Sequence, residues 1–438
     1  MTPIDLDDAI ERSLDGLMNN RLALLAGAGL SMAPPSNLPS AAAIAAEAKQ
    51  EYDARYAGHR PLLSPQVEEQ AEFFFGRGEL PIYLNEYIDL DAFAGKPNDG
   101  HLAIADLLLS RAFQTVVTTN VDILIEGAGL QVFGNVFAAI DGHEAAAVPG
   151  DAKPLLKIHG CWHKDRNNTV WCEPQLGVPP VNERVQRSAI WLQNNLVNKD
   201  LVVLGYSTDW DYLNELIDQT MGTIAPSSVI VVNPAPPAAF TAAAPDLTAL
   251  ANRAQNGSFY VQVSGSDYLD RLRLEFSRAF IRRALAQGSG EFEAVTGNPP
   301  SPPTLDAPTA SNEDLWQMRR DLLGCKPNKP ARSPVPPHEP AVGLTILQIR
   351  AAGGVPSGSY WEVGGRFVRV LRSPNAFLHT LEGTYRWDMP PVAAPHLVVA
   401  VGAEDVFLPT DLVRRPDGSI ARGAGPGWMT RATFEASL

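Results

Sequence analysis

A run of apolar residues that stops abruptly on two glycines and a serine, Leu22-Ala23-Leu24-Leu25-Ala26-Gly27-Ala28-Gly29-Leu30-Ser31, constrains this chain more than any other stretch. It reads as a short buried strand, a tight turn and, after a proline-rich loop, a helix. Glycine suits a place where backbone turns sharply and meets a ligand with no Cβ between them. Backbone N–H groups freed at such a turn cradle a diphosphate. Many α/β proteins turn there for packing alone, so the stretch by itself leaves a nucleotide site and a bare turn both open.

A length of 438 residues predicts two or three domains. With 45% hydrophobic and 19% charged residues, the chain supplies a substantial core. A formal net charge of -14 argues against direct nucleic-acid binding, which needs clustered Lys and Arg. Cys161, Cys172 and Cys325 are too few for a disulfide framework and fit a reducing, cytoplasmic compartment. The acidic start, Met1 to Asp8, lacks the basic and apolar regions of a secretory leader, and none is expected. No apolar run approaches the ~20 residues of a spanning helix, so no membrane attachment is expected.

Ile4, Leu6, Ile10, Leu14 and Leu17 recur at near-helical spacing ahead of the first strand. Ser40 is placed to cap an alanine-rich helix, and helical spacing continues from 62 to 95 with Phe73, Phe74, Phe75, Tyr83 and Tyr87. The aromatics read as core, giving a helical insertion at about 40–100. His101 opens another helix. A second strand, 114–118, runs into Thr118-Thr119-Asn120-Val121-Asp122. Short polar side chains at that end of a parallel strand lie where ligands bind, although Asn120 or Asp122 as a helix cap explains them equally. A third strand, 154–160, ends in His159-Gly160. A lone histidine is more often structural, but the glycine leaves room beside this one. A fourth, 201–204, ends in Gly205-Tyr206-Ser207, and a fifth, 229–232, in Asn233.

Strands alternating with helical runs predict a Rossmann-like, doubly wound parallel sheet. An amphipathic helix at 267–285 closes a first domain, 1–285. Proline-rich 286–340 reads as a linker with one short helix, Glu313 to Leu323. The remainder, 341–438, reads as a small β-rich domain, with strands at Leu344-Thr345-Ile346-Leu347 and Phe367–Leu371 and turn signals at Gly364-Gly365 and Asp417-Gly418.

Together, Gly27-Ala28-Gly29-Leu30-Ser31, Thr118-Thr119-Asn120-Val121-Asp122, Lys157-Ile158-His159-Gly160 and Gly205-Tyr206-Ser207 resemble the sirtuin (SIR2) domain in order and spacing, over about 20–285. More closely, the chain resembles the SIR2-like NAD-cleaving effectors of bacterial anti-phage defence. The resemblance implies NAD+ as substrate, with Ala28, Gly29 and Ser31 along its diphosphate and ribose. It implies that Asn120 positions water or an acceptor, that Asp122 holds the nicotinamide carboxamide, and that His159 is the general base. Gly205, Ser207 and Asn233 would take the adenosine half. It further implies a homo-oligomer, inactive alone and released by assembly or by a separately encoded partner such as a HerA-like ATPase or an Argonaute-like protein.

This chemistry is reasonable for these residue types. Cleaving the nicotinamide bond leaves an oxocarbenium-like ribose, an asparagine orients water through both ends of its amide, and a histidine accepts the proton. Two departures from the deacylating sirtuins matter. Only Cys161 and Cys172 stand where those enzymes carry a four-cysteine zinc module, and with His159 assigned to catalysis the His159-Cys161-His163 cluster has no convincing fourth ligand, so no zinc is expected. The deacylase loop motif is replaced by Ser36-Asn37-Leu38-Pro39-Ser40, without the phenylalanine that shields the ribose from water. Hydrolysis is therefore expected, with an NAD-dependent protein deacylase and a non-catalytic NAD or ADP-ribose sensor as alternatives.

Overall fold

The computed structural model describes the chain apart from residues 57, 59–60, 207–210, 327, 374–395, 402–411, 415–419 and 423–436. Two compact units emerge, Met1–Leu272 and Arg273–Leu438.

The first unit is built on eight parallel strands: β1 (Thr2–Pro3), β2 (Leu22–Ala26), β3 (Thr115–Thr118), β4 (Phe137–Ala139), β5 (Pro154–Lys157), β6 (Asp200–Leu204), β7 (Ser228–Val232) and β8 (Ser258–Val261). Their order is β1-β8-β7-β6-β2-β3-β5-β4. Every residue of β2, β3 and β5 is buried, as expected of parallel strands covered on both faces. The chain runs outward from β2 through β3, then returns to β2's other side with β6. That reversal is where open α/β sheets bind ligands. The expected Rossmann-like, doubly wound sheet is what forms; β1, β4 and β8, short or half exposed, had no clear apolar run to announce them.

Register decides what lies at this edge. Ala26 pairs with both Thr118 and Leu204, Thr118 with Lys157, and Leu204 with Val232. The strands thus end in one row, and Gly27, Thr119, Ile158, Gly205 and Asn233 are the residues that next leave the sheet.

The core on the β6–β7 side includes Leu25, Val203, Leu216, Val231 and Phe240. The helices Ala41–Arg55 and Val67–Phe75 and the π-turn Tyr83–Tyr87 enclose a second core. Its rings interlock, with Phe74 stacked on Tyr83 at 5.0 Å and Tyr52 edge-on to Phe74 at 5.6 Å. The aromatic run is packing material, as its spacing predicted.

In the second unit, six strands follow in spatial order β14-β13-β12-β11-β10-β9: β9 (Val355–Ser357), β10 (Tyr360–Val363), β11 (Arg366–Arg372), β12 (His396–Val401), β13 (Leu412–Arg414) and β14 (Ile420–Arg422). All neighbours are antiparallel except β11 and β12. Two sequence expectations differ from the structure here. Leu344-Thr345-Ile346-Leu347 lies inside the helix Pro340–Ala351, not a strand; a short apolar run fits either state, and Pro340 at the first helical position decides it. The stretch 286–340 is more than a spacer: it carries the helices Ser289–Thr296, Pro302–Leu305 and Asn312–Leu323. Leu315, Met318 and Leu322 join the core with Trp361 and Val368. Asp321 also meets Arg369 in a buried two-point ion pair, 2.7 Å at each contact. The expected turn at Asp417-Gly418 lies outside the described residues.

Gly364-Gly365 closes the β10–β11 hairpin with φ of +55° and +72°, the two-residue turn that needs left-handed backbone twice. A Cβ at Gly364 would touch nothing within 4 Å. Gly364→Ala should therefore cost only the backbone term, about 1 kcal/mol, read as a lower denaturant midpoint at unchanged m-value.

Candidate active site at the carboxyl edge of the sheet

Two backbone turns interlock beyond β2 and β6. Gly27 N–H donates to Leu204 O at 2.9 Å and Gly29 N–H to Gly205 O at 2.7 Å. A Cβ at Gly27 would sit 2.6 Å from Gly205 O, and one at Gly205, where φ is +66°, would sit 2.7 Å from Gly27 O. The glycines are required by this contact, and their N–H groups serve it rather than an open cradle. Ala28 and Gly29 remain exposed on the outer side of the turn.

Ser31, on the short helix Gly29–Met32, is the centre of a buried network. Its hydroxyl donates to Asp122 Oδ2 at 2.8 Å and accepts from Asn120 Nδ2 at 2.9 Å. His101 Nε2 lies 3.1 Å from the same oxygen. Because His101 Nδ1 accepts from Asn98 N–H at 3.2 Å, the ring's proton is on Nε2 and is donated to Ser31. By its sequence pattern alone His101 opens a helix. Asn98-x-x-His101 does cap the helix Asp99–Leu109, and that capping turns the imidazole toward Ser31. Asp122 Oδ1 accepts from Leu124 N–H at 2.9 Å, so the cap reading of Asp122 and its place in the network are both true. Thr118 Oγ1 accepts from Asn120 N–H at 3.0 Å and donates to Ala26 O at 2.9 Å, anchoring the loop to β2. Asn120 is 4% exposed, and its Oδ1 has no hydrogen-bond partner among the described residues.

Beneath the loop, Lys157 Nζ donates to Asp122 O and, at 2.8 Å, to Glu126 Oε1. His159 stands two residues on, beyond β5 as Asn120 is beyond β3, where Thr118 and Lys157 pair. Its Nδ1 lies 2.8 Å from Thr119 O, while Nε2 meets Val170 O and lies 3.4 Å from the Tyr212 hydroxyl. Trp171 and Tyr212 flank the ring at 6.0 and 5.7 Å.

Ser31, His101, Asn120 and Asp122 thus form one bonded group with His159 beside it through Thr119. Asn233 is tied elsewhere: Nδ2 donates to Tyr206 O at 2.9 Å, and Oδ1 accepts from Ala235 N–H at 2.8 Å. Ser207 lies outside the described residues. Cys161 and Cys172 are buried free thiols.

Burial pushes His101 and His159 each down to about 4; the charge of Asp122 opposes this for His101, and the carbonyls of Thr119 and Val170 oppose it for His159. The unfolded chain protonates these rings near pH 6.5, where the folded protein does not. Stability should therefore fall as pH drops from about 6.5 to about 4, then level off, by about 1.4 kcal/mol per pH unit for each ring. Urea unfolding across that range tests this, and His101→Gln should remove roughly half of the slope.

No family profile and no curated protein matches the chain. Among solved structures, one describing sirtuin substrate affinity aligns at 17% identity, over 61% of this chain and 97% of its own, with a TM-score of 0.33. One describing the mechanism and regulation of Sir2 enzymes aligns at 17% identity over 60% and 95%, with a TM-score of 0.36. A complex of Sir2 with a p53 peptide and NAD+ aligns at 15% identity over 61% and 98%, with a TM-score of 0.34. Among the described residues no helix is long and apolar enough to cross a membrane.

Proposed function

We propose that this chain is an NAD+ glycohydrolase, releasing nicotinamide and ADP-ribose. One observation carries the reading: the Asn120 amide, fixed at Nδ2 by Ser31, presents a buried, unpartnered Oδ1 at the level of His159. Such an oxygen accepts from a water or a ribose hydroxyl. The bond between the nicotinamide nitrogen and ribose C1′ breaks, and the ring leaves as neutral nicotinamide with the electron pair. Water oxygen forms the new bond to C1′ and its proton passes to His159 Nε2. Asp122, held by Ser31 and Leu124, faces the carboxamide; Ala28 and Gly29 take the diphosphate side, and Gly205, Ser207 and the backbone that Asn233 fastens take the adenosine half.

For Nε2 to accept a proton, the Val170 carbonyl has to withdraw. A covered base suits an enzyme that stays silent until triggered, since free turnover of NAD+ would harm its own cell. We extend the reading to an anti-phage effector in the cytoplasm, activated by homo-oligomer assembly or by a HerA-like ATPase or Argonaute-like partner.

The test is incubation of purified protein with NAD+, with and without acylated peptide, and mass-spectrometric accounting of nicotinamide and ADP-ribose. The same accounting follows in cells with and without phage. Hydrolysis without peptide is the expected result. Nicotinamide release that strictly requires peptide makes the chain a deacylase, and tight NAD+ binding with no turnover under any trigger makes it a sensor.

A further inference from the structure

Arg184, on the helix Val181–Leu196, places a guanidinium inside the protein. It is 4% exposed, and Nε, Nη1 and Nη2 make no hydrogen bond among the described residues. Its ionic partner is Asp165, 3.8 Å from Nη1 and itself partly exposed. Interior guanidinium groups ordinarily have their donors engaged, because bare ones forfeit hydration without recompense. What this one touches is the turn behind His159. A Cβ at Gly160, where φ is +99°, would lie 3.2 Å from Arg184 Nη1.

The surroundings of His159 contain a conflict. Its two nitrogens face two carbonyls, Thr119 O and Val170 O. Two acceptors together favour a ring protonated on both nitrogens, which is useless as a base. The titratable groups packed nearby are the Tyr212 hydroxyl, the Cys172 thiol, Glu68 beyond Tyr212, and Asp165 beyond Arg184. None of these is a cation at neutral pH, and the ammonium of Lys157, two residues before His159, is paired with Glu126 at 2.8 Å. Arg184 is a cation.

We propose that Arg184 is a positioning residue: its charge, set against the Gly160 turn and only partly offset by Asp165, holds His159 as the neutral ring with Nδ1–H on Thr119 and the Nε2 lone pair retained. Burial and Arg184 both disfavour the second proton, against the two carbonyls. This rests on His159 being the base of the reaction proposed above.

The experiment reads the ring directly. In protein labelled at histidine, the His159 resonance is assigned with His159→Gln and titrated by NMR in wild type, R184M, R184K and D165N. R184M should raise the midpoint by a few tenths of a pH unit, R184K should leave it in place, and D165N should lower it. The acid limb of kcat/KM should move with the NMR midpoint in R184M. An unmoved midpoint in R184M, or an upward shift in D165N, overturns the proposal. Should R184M fail to fold, D165N at its partly exposed position decides by its sign. Absence of nicotinamide release from wild type would sink the hydrolase reading and leave the titration result standing by itself.

Discussion

Asn120→Ala is expected to lower nicotinamide release by about 10²–10⁴-fold, with NAD+ binding weakened far less. The reason lies in what the amide connects. Its Nδ2 makes one of the three bonds that saturate Ser31 Oγ, and among the described residues its Oδ1 is the buried acceptor of the network without a protein partner. Removing the side chain takes away the group that orients the attacking oxygen and leaves the Ser31–Asp122–His101 bonds in place. Asn120→Asp separates orientation from scaffold. It keeps the shape, but it sets a second carboxylate beside Asp122 and removes the donor to Ser31, so it should be nearly as inactive and less stable by about 1–3 kcal/mol. Single-turnover rates and NAD+ titration of both variants check this. Asn120→Ala turning over like wild type would remove the amide from the chemistry.

Gly27→Ala and Gly205→Ala should each destabilise the first unit by about 3 kcal/mol, lowering Tm by roughly 6–12 °C, and each should abolish measurable NAD+ cleavage. In both, the added methyl meets backbone: Gly205 O at 2.6 Å in one case and Gly27 O at 2.7 Å in the other. Backbone cannot swing aside as a flexible side chain can, so the two turns must part. At Gly205 the φ of +66° adds the usual left-handed penalty. Because both substitutions break one contact, the double variant should lose clearly less than the sum of the singles. Scanning calorimetry of the three variants tests the magnitude, and strict additivity would show that the turns act independently.

The sheet was legible because its central strands are uninterrupted apolar runs closed by glycine, asparagine or histidine. The meeting of the four motifs at one sheet edge was legible for the same reason: parallel register places consecutive strand ends side by side, so stretches far apart in sequence come together. Legibility ended where a side chain or turn has a tertiary use that the local pattern does not show. His101 looked like a helix start because capping and its bond to Ser31 employ the same side chain. The glycine pair looked like a phosphate cradle, whereas its N–H groups close onto Leu204 and Gly205. Asn233 matched a binding position by order, yet both ends of its amide hold backbone. Proline-rich 286–340 looked like a spacer because prolines that begin helices and prolines that extend linkers are alike in composition.

The interlock of Gly27 against Gly205 has a consequence for how the protein is made. The first of these turns leaves the ribosome early, and the second follows only after the helical insertion and three further strands. Until β6 docks beside β2, the Ser31 turn has no wall to lean on, so a growing or truncated chain cannot hold the Ser31 network in place. Long-range closure of this kind slows folding, and it leaves half-made copies without the bonded group around Ser31.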